Sequence, residues 1–318
     1  MAEIVLGIGT SHAPQLRIPP EKWSILVEKD KKDPRYNYEE ILRKANPEIQ
    51  KELTPEVYQR KHEACQEALT KLRETFFRAS PDAVIIIGDD QHEQFYEDNM
   101  PMFAIYYGET VEQRARRAQE RRSWWNVEEA HPDEGDRTSP CDSELATHLI
   151  ETLISKGFDL VTSNKLRAER GIGHAFTFVI NRLLPERTPI VPVMINAFFP
   201  PNRPLPGRCY ALGQVLGEAI RKWKSAKKVA IIASGGLSHF MIDEEIDRMV
   251  LDGLLSRERE KLCTLPSERL LVLGTGEALN WIIAAGALEE LDPKPLNYVP
   301  CYRTPAGTGC AMAFMQWI

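Results

Sequence analysis

Short apolar runs alternate along this chain with segments of helical periodicity, and this alternation strongly constrains the fold. The apolar runs cover residues 4–8, 83–87, 102–107, 160–161, 190–195 and 229–233. Such runs, bounded by turn residues, are typical of strands buried on both faces of a sheet. Helical spacing predicts helices over residues 54–80, 143–155, 175–184, 209–223 and 277–285. Strands that alternate with helices predict an α/β fold: one layered domain, with a central mixed sheet and helices on both faces.

Two segments do not fit the alternation, residues 18–53 and 110–140, which are rich in charge and proline. They are interpreted as long surface excursions within a single domain that covers residues 1–318. Long loops in compact enzymes are often lids over an active site. Within the second excursion, Trp124 and Trp125 either pack the loop or stack on an aromatic ring.

Charge and cysteine content exclude several classes of protein. The formal net charge is −6 and no long basic stretch is present, which argues against a nucleic-acid partner. The most basic segment, RARRAQERR at 114–122, is interpreted as a solvated helix face or loop; the alternative is that one of its arginines reaches an acidic substrate. The six cysteines are scattered without a CxxC pair, as expected of a reduced protein without a zinc knuckle. No run approaches the roughly 18 apolar residues of a membrane span, so a cytoplasmic location is predicted.

Three of the apolar runs end in the same way, with small or acidic residues and then a histidine. The segments are IVLGIGTSH, ending at His12, AVIIIGDDQH, ending at His92, and VAIIASGGLSH, ending at His239. Ligands of open α/β sheets bind outside the carboxyl ends of the strands, so the three imidazoles are expected to converge. A fourth, His174 in RGIGHAFTF, follows a Gly-x-Gly turn at the predicted start of a helix.

For each of these histidines the alternative is a partly buried imidazole that is hydrogen-bonded to backbone. The threefold recurrence favours a functional cluster over that alternative. The other three histidines have no comparable context and are interpreted as structural: His62, His131 and His148.

A histidine cluster suits two kinds of metal chemistry, and spacing alone does not separate them. Zinc hydrolases need three protein ligands and an open position, whereas non-haem iron(II) oxygenases use two histidines and a carboxylate. Glu277, at the head of an apolar predicted helix, is either a helix-dipole partner or a ligand that faces a cavity. Asp89 and Asp90 either orient His92 or simply end a strand. The absence of an HExxH-like motif disfavours the zinc hydrolase.

Five segments resemble the motifs of the class III extradiol ring-cleavage dioxygenases, the protocatechuate 4,5-dioxygenase type. In chain order they are GTSHAP, VIIIGDDQHEQF, GIGHAFTFVINRL, SGGLSHF and GTGEALNWIIAAGAL. The resemblance extends from His12 to the closing TPAGTGCAMAFM, and it is most similar to the single-chain 3-O-methylgallate dioxygenases. It implies Fe(II)-dependent extradiol cleavage of a catecholic aromatic acid with O2, in the catabolism of lignin-derived compounds.

Carried over residue by residue, the resemblance implies an Fe(II) site formed by His12, His92 and Glu277. His239 matches the histidine that acts as catalytic acid and base, and His174 matches a second active-site histidine near substrate and O2. A homodimer is the family expectation. The protocatechuate enzyme has a separate small subunit over its active site; no equivalent segment is evident here, which makes the two excursions candidate lids.

The substrate stays open between 3-O-methylgallate, gallate, protocatechuate, a biphenyl catechol and a 2-aminophenol. The alternative from another class is a metal-binding relative without ring cleavage, like the Memo proteins. The intact set His12, His92, Glu277 and His239 favours a working dioxygenase. The residues that bind the ring carboxylate in the family do not transfer to positions of this chain.

Overall fold

A computed structural model describes residues 1–115, 130–132, 135–167 and 170–318. Its strands are β1 (Glu3–Thr10), β2 (Ala83–Asp89), β3 (Phe103–Tyr106), β4 (Thr110–Gln113), β5 (Arg137–Pro140), β6 (Val161–Ser163), β7 (Ile190–Ile195), β8 (Lys228–Ser234), β9 (His239–Met241), β10 (Pro293–Tyr302) and β11 (Thr308–Trp317). The main sheet has the order β10-β11-β1-β8-β2-β7-β3-β6, with β9 paired to β11, while β4 and β5 form a separate antiparallel pair.

The described helices are α1 (Ser24–Lys31), α2 (Tyr38–Lys44), α3 (Pro55–Ala79), α4 (Ser143–Ser155), α5 (His174–Arg182), α6 (Pro206–Lys222), α7 (Glu244–Ser256), α8 (Arg259–Cys263), α9 (Ser267–Leu270) and α10 (Ala278–Ala287). The longest of them, α3, begins as the sequence predicts. Thr54 caps it by accepting a hydrogen bond from the Val57 N–H, and Pro55 occupies the first turn, where its missing N–H costs nothing.

The sheet separates two apolar cores, because successive side chains of a strand point to opposite faces. In β2, Ile85 and Ile87 pack with α4, α6 and α10, whereas Val84 and Ile86 pack with α3 and α5. The predicted α/β layering, with helices on both faces of a mixed sheet, is confirmed.

The three strands that precede the predicted histidines are neighbours in the sheet. β8 pairs in parallel with β1 on one side and with β2 on the other. Their carboxyl ends therefore lie at one edge, where the segments that carry His12, His92 and His239 begin.

The first excursion is not a plain loop, since it contains α1, α2 and two short 3-10 segments. It has little helical periodicity because charged side chains are among its buried residues, with Lys29, Asp30 and Asp33 inside. In the second excursion, β4 and β5 form a short ribbon. Trp124, Trp125 and most of the basic segment at 114–122 lie outside the described residues.

Sequence patterns missed β10, β11 and α7. Prolines interrupt β10, which lies at the edge of the sheet, where a missing N–H is tolerated. β11 is rich in small residues, and its pattern resembles neither a strand nor a helix clearly. No helix in the described part of the chain has the length and apolar character needed to cross a bilayer. The cytoplasmic location stays a prediction.

Candidate metal and active site

One cavity, about 150 Å³ in volume, opens at the carboxyl edge of the sheet. All five residues predicted to form the site line it: His12, His92, His174, His239 and Glu277. They come from five separate segments of the chain, so the convergence expected from the strand ends is present. The positions of individual atoms distinguish the roles of these residues.

His12 follows β1 and is held in one tautomer. Its Nδ1 lies 3.1 Å from the Ser234 Oγ, and that hydroxyl donates its only hydrogen to the Ala175 carbonyl at 2.6 Å. The hydroxyl must therefore accept from His12, so the proton is on Nδ1 and the Nε2 lone pair is free. Burial lowers the pKa of His12 to about 3, against the opposing effect of Glu277, and the ring is neutral near pH 7.

Glu277 ends a short 3-10 turn immediately before α10 and is fully buried. Its Oε2 lies 3.6 Å from His12 Nε2 and accepts a hydrogen bond from the Gly236 N–H at 2.7 Å. Burial alone would raise the pKa of Glu277, but the neighbouring imidazoles of His239 and His12 lower it to about 2. This carboxylate is ionised and is not merely a helix-dipole partner.

A glycine makes room for this carboxylate. Gly235 has a φ of +113°, and a Cβ built there would lie 2.4 Å from Glu277 Oε2 and 3.0 Å from the His12 ring. Two hydrogen bonds fix the start of α10 against the same loop, from Trp281 Nε1 to the Gly235 carbonyl and from Asn280 to the Ser234 carbonyl. The SGG segment thus leaves space for Glu277 and anchors its helix.

His239 lies on the other side of Glu277. Its Nε2 is 3.0 Å from Glu277 Oε1, and its Nδ1 lies 3.0 Å from the Leu237 carbonyl. A carbonyl can only accept, so Nδ1 carries a proton and Nε2 is the nitrogen that exchanges protons at the cavity. This geometry suits the predicted acid and base role.

His174 begins α5, as predicted, and its ring packs edge-on against His12 with centroids 4.7 Å apart. The Glu93 Oε1 lies 2.7 Å from His174 Nδ1 and also accepts the His174 N–H at 2.9 Å. Glu93 is buried and fixes both the ring and the start of the helix. His174 Nε2 is then directed towards Gln91, 3.5 Å from its Nε2.

His92 lines the cavity, but its ring packs against aromatic side chains. Its backbone has a φ of +62°, and the ring stacks on Phe199 with centroids 3.8 Å apart and on Tyr96 at 5.4 Å. The preceding residue, Gln91, places its Nε2 3.1 Å from Glu277 Oε1 instead. The amide of Gln91 therefore contacts the carboxylate beside which His92 was expected. The role of His92 as a metal ligand stays a prediction.

Asp90 explains the shape of this turn. Its carboxylate accepts the backbone N–H groups of Glu93, Gln94 and Phe95 at 2.8–3.2 Å. Burial, followed by the nearby Glu93, raises the pKa of Asp90 to about 7. Asp90 thus organises the loop rather than the imidazole of His92.

Asp89, the last residue of β2, is also fully buried, with different surroundings. Neither of its carboxylate oxygens accepts a hydrogen bond of normal geometry from the described residues. Among those residues, the ligand atoms of His12, Asp89 and Glu277 form a group in which all lie within 4.8 Å of one another. This is a set of donors suited to a metal ion.

Sequence reasoning missed four residues that shape the site: Gln91, Glu93, Ser234 and His131. Gln91 and Glu93 flank His92 inside the quoted motif, and Ser234 ends β8, so position could have drawn attention to them. His131 was interpreted as structural, yet it is buried, lines the cavity and has its ring 6.3 Å from that of His174.

The chain matches the family model described as the catalytic LigB subunit of aromatic ring-opening dioxygenase, over residues 47–310. The chain belongs to this family, which confirms the predicted family. Two relatives are enzymes named 2,3-dihydroxyphenylpropionate/2,3-dihydroxicinnamic acid 1,2-dioxygenase. The Comamonas testosteroni protein is 26% identical over 242 residues, which is 74% of this chain and 65% of that protein. The Klebsiella pneumoniae (strain 342) protein is 29% identical over 161 residues, 50% of this chain and 44% of that protein.

Proposed function

We propose that this protein is an Fe(II)-dependent dioxygenase that cleaves a catecholic aromatic acid with O2, beside the diol. The observation that carries the proposal is the contact geometry of Glu277. One of its oxygens faces the His12 Nε2 lone pair at 3.6 Å, and the other faces His239 Nε2 at 3.0 Å. Glu277 therefore contacts the proposed metal ligand His12 with one oxygen and the proposed acid and base His239 with the other.

The residues present fit a divalent metal. The His12 Nε2 lone pair and an ionised Glu277 carboxylate face each other with no proton between them, an arrangement that a cation stabilises. His12 and Glu277 would hold Fe(II), with His92 as the predicted third ligand. When bound, the metal supplies open positions for both catechol oxygens and O2 and a path for electrons between them.

His239 holds and returns the proton. Its Nδ1 hydrogen is fixed by the Leu237 carbonyl, so Nε2 is the nitrogen that transfers protons. With its proton, Nε2 donates to Glu277 Oε1 or to the substrate, and without it Nε2 accepts a proton from the second catechol hydroxyl. His174, held by Glu93, presents Nε2 as a hydrogen-bonding group for the substrate or O2.

Cationic side chains in the cavity wall support a carboxylate-bearing substrate. Lys29 and Arg35 both lie over Phe240, the residue after His239, at 4.6 and 3.6 Å from the ring centroid. Arg303 and Arg170 line the same cavity. Arginine and lysine stabilise carboxylates by charge-assisted hydrogen bonds.

We favour 3-O-methylgallate or a related lignin-derived acid as the substrate. Gallate, protocatechuate, a biphenyl catechol and a 2-aminophenol are the alternatives for the same chemistry. The curated relatives are named for a dihydroxylated phenylpropionate and cinnamic acid, which also combine a diol with a carboxylate. The matched segments span 44% and 65% of these two relatives. A homodimer in the cytoplasm is part of the proposal.

The test is O2 uptake by anaerobically reconstituted protein, with 3-O-methylgallate, gallate, protocatechuate, catechol and 2-aminophenol. We expect rapid uptake with a carboxylated catechol and slow uptake with catechol itself. A ring-opened product with a new absorption band identifies the cleavage. No uptake with any compound, despite a full complement of iron, would favour the metal-binding alternative without ring cleavage.

A further inference from the structure

Asp89 is an unusual residue in the described part of this protein. It is a fully buried carboxylate, and neither of its oxygens accepts a hydrogen bond of normal geometry from the described residues. A buried polar group without a partner is costly, and binding an ion is one way to compensate such a group.

The surroundings of Asp89 specify what kind of ion would fit. One Asp89 oxygen, one ring nitrogen of His12 and one Glu277 oxygen lie within 4.8 Å of one another, close enough for one ion to contact all three residues. The Ser234 hydroxyl keeps the His12 lone pair free on the side of Glu277. Two carboxylates and a neutral imidazole balance the charge of a divalent cation, and their hard oxygen ligands suit Mn(II) or Fe(II).

The turn after β2 explains why His92 does not complete this group. Asp90 accepts three backbone N–H groups, which folds the chain tightly around Gln91 and His92. The His92 ring then stacks on Phe199, and the Gln91 amide contacts Glu277. The site thus contains an amide at the place where a second imidazole was predicted.

We propose that Asp89 is the third protein ligand of the metal, together with His12 and Glu277, and that His92 is a wall residue of the substrate cavity. The inference rests on the proposed metal site, but it concerns the ligand set and not the reaction. It replaces the predicted set of two histidines and one carboxylate with one histidine and two carboxylates. Gln91 then holds the Glu277 oxygen that does not face His12.

The experiment is an anaerobic calorimetric titration of metal-free protein with Mn(II), without catechol or O2, and elemental analysis of the bound metal. We expect Asp89→Asn to weaken Mn(II) binding by roughly tenfold to 100-fold or more. His92→Ala is expected to bind Mn(II) within about twofold of the wild type. Asp247→Asn, at another buried aspartate outside the donor group, is the matched control and is also expected to retain binding.

Folding is checked by circular dichroism and by the melting temperature of each metal-free variant. If Asp89→Asn does not fold, Asp89→Glu provides the second measurement, because it keeps a carboxylate on a longer side chain and should bind more weakly than the wild type. At one fixed Mn(II) concentration, the melting temperature of His92→Ala should rise as much as that of the wild type, and that of Asp89→Asn should rise less.

Unchanged Mn(II) affinity in Asp89→Asn, or a loss in His92→Ala with Asp89→Asn intact, overturns the inference, as does a wild type that binds no divalent metal. The proposed ring cleavage is tested separately. If metal binding depends on Asp89 while the loaded wild type consumes no O2, only the proposed reaction fails. If O2 is consumed and Asp89→Asn still binds metal normally, only the ligand assignment fails.

Discussion

Asp30 and Asp89 are both fully buried, yet their surroundings differ completely. Asp30, in the first excursion, accepts hydrogen bonds from Lys29 at 3.0 Å, Arg303 at 2.8 Å and Thr308 at 2.7 Å. Asp89, at the end of β2, accepts none from the described residues. Burial is the same in the two cases, so it does not distinguish a structural carboxylate from a functional one.

The difference lies in what compensates the charge. Around Asp30 the protein itself supplies two cations, and the group fixes α1 against β11 and the segment before it. Around Asp89 the protein supplies a second carboxylate and a neutral imidazole, and in the proposed ligand set a bound cation would supply the compensating charge. The first group belongs to the proposed substrate-binding wall, and the second to the proposed metal site.

The largest expected effect comes from Asp30→Ala. It leaves the buried Arg303 without its counter-ion and Lys29 with Asp33 as its remaining carboxylate partner, and we expect a loss of about 3–5 kcal/mol in the free energy of unfolding. Urea denaturation of metal-free protein measures it, with Asp89→Ala as the comparison, which should destabilise far less. A loss below about 1 kcal/mol for Asp30→Ala would show that the two aspartates do not differ in this way.

The next largest effect is expected from His239→Ala, which changes a residue beside Glu277 in the proposed metal site. We expect turnover to fall on the order of 100-fold or more, because a general acid and base is lost. Bound iron should stay at the wild-type amount, whereas His12→Ala should fail to hold iron. The reverse pattern, with metal lost from His239→Ala and kept by His12→Ala, would contradict both role assignments.

Glu93→Gln, in the same cavity as His239, is expected to have a smaller effect on turnover. Glu93 touches His174 rather than the reacting atoms, so it is a positioning residue, and we expect kcat to fall roughly tenfold to 100-fold. The KM for the catechol and the bound iron should change little, and the pH profile of kcat should shift as the His174 ring loses its carboxylate partner. An unchanged pH profile would indicate a purely structural contact.

Arg35→Ala should have the smallest effect. It tests whether the cationic side chains of the cavity wall bind the substrate carboxylate. We expect the KM for a carboxylated catechol to rise roughly tenfold, with little change for plain catechol, because only the acid has a partner for the lost cation. Arg43→Ala, at an exposed position on α2, is the control. An equal rise for both substrates would mean that Arg35 shapes the cavity without recognising charge.

Sequence motifs predicted the positions of His12, His174, His239 and Glu277 around one cavity, because each follows a strand end or begins a helix. They could not predict which side chain at the end of β2 or after it faces His12 and Glu277. That choice depends on the turn around Asp90 and on the positive φ of His92, neither of which has a periodic signature.

The cationic residues of the cavity wall could not be predicted from the sequence either. Lys29 and Arg35 lie in an excursion without clear periodicity, and only their packing against Phe240 brings them to the cavity. Buried charges do not follow the apolar patterns from which a core is predicted. Strands β1, β2, β3, β6, β7 and β8 and the longer helices other than α7 were predicted because their apolar patterns are regular.

The position of β1 in the sheet has a consequence for how the protein matures. β1 lies between β8 and β11, and both of these strands come from the last third of the chain. A ribosome therefore releases His12 long before its sheet neighbours and Glu277 exist. The proposed metal-binding group therefore cannot form before the segment that carries Glu277 has been synthesised.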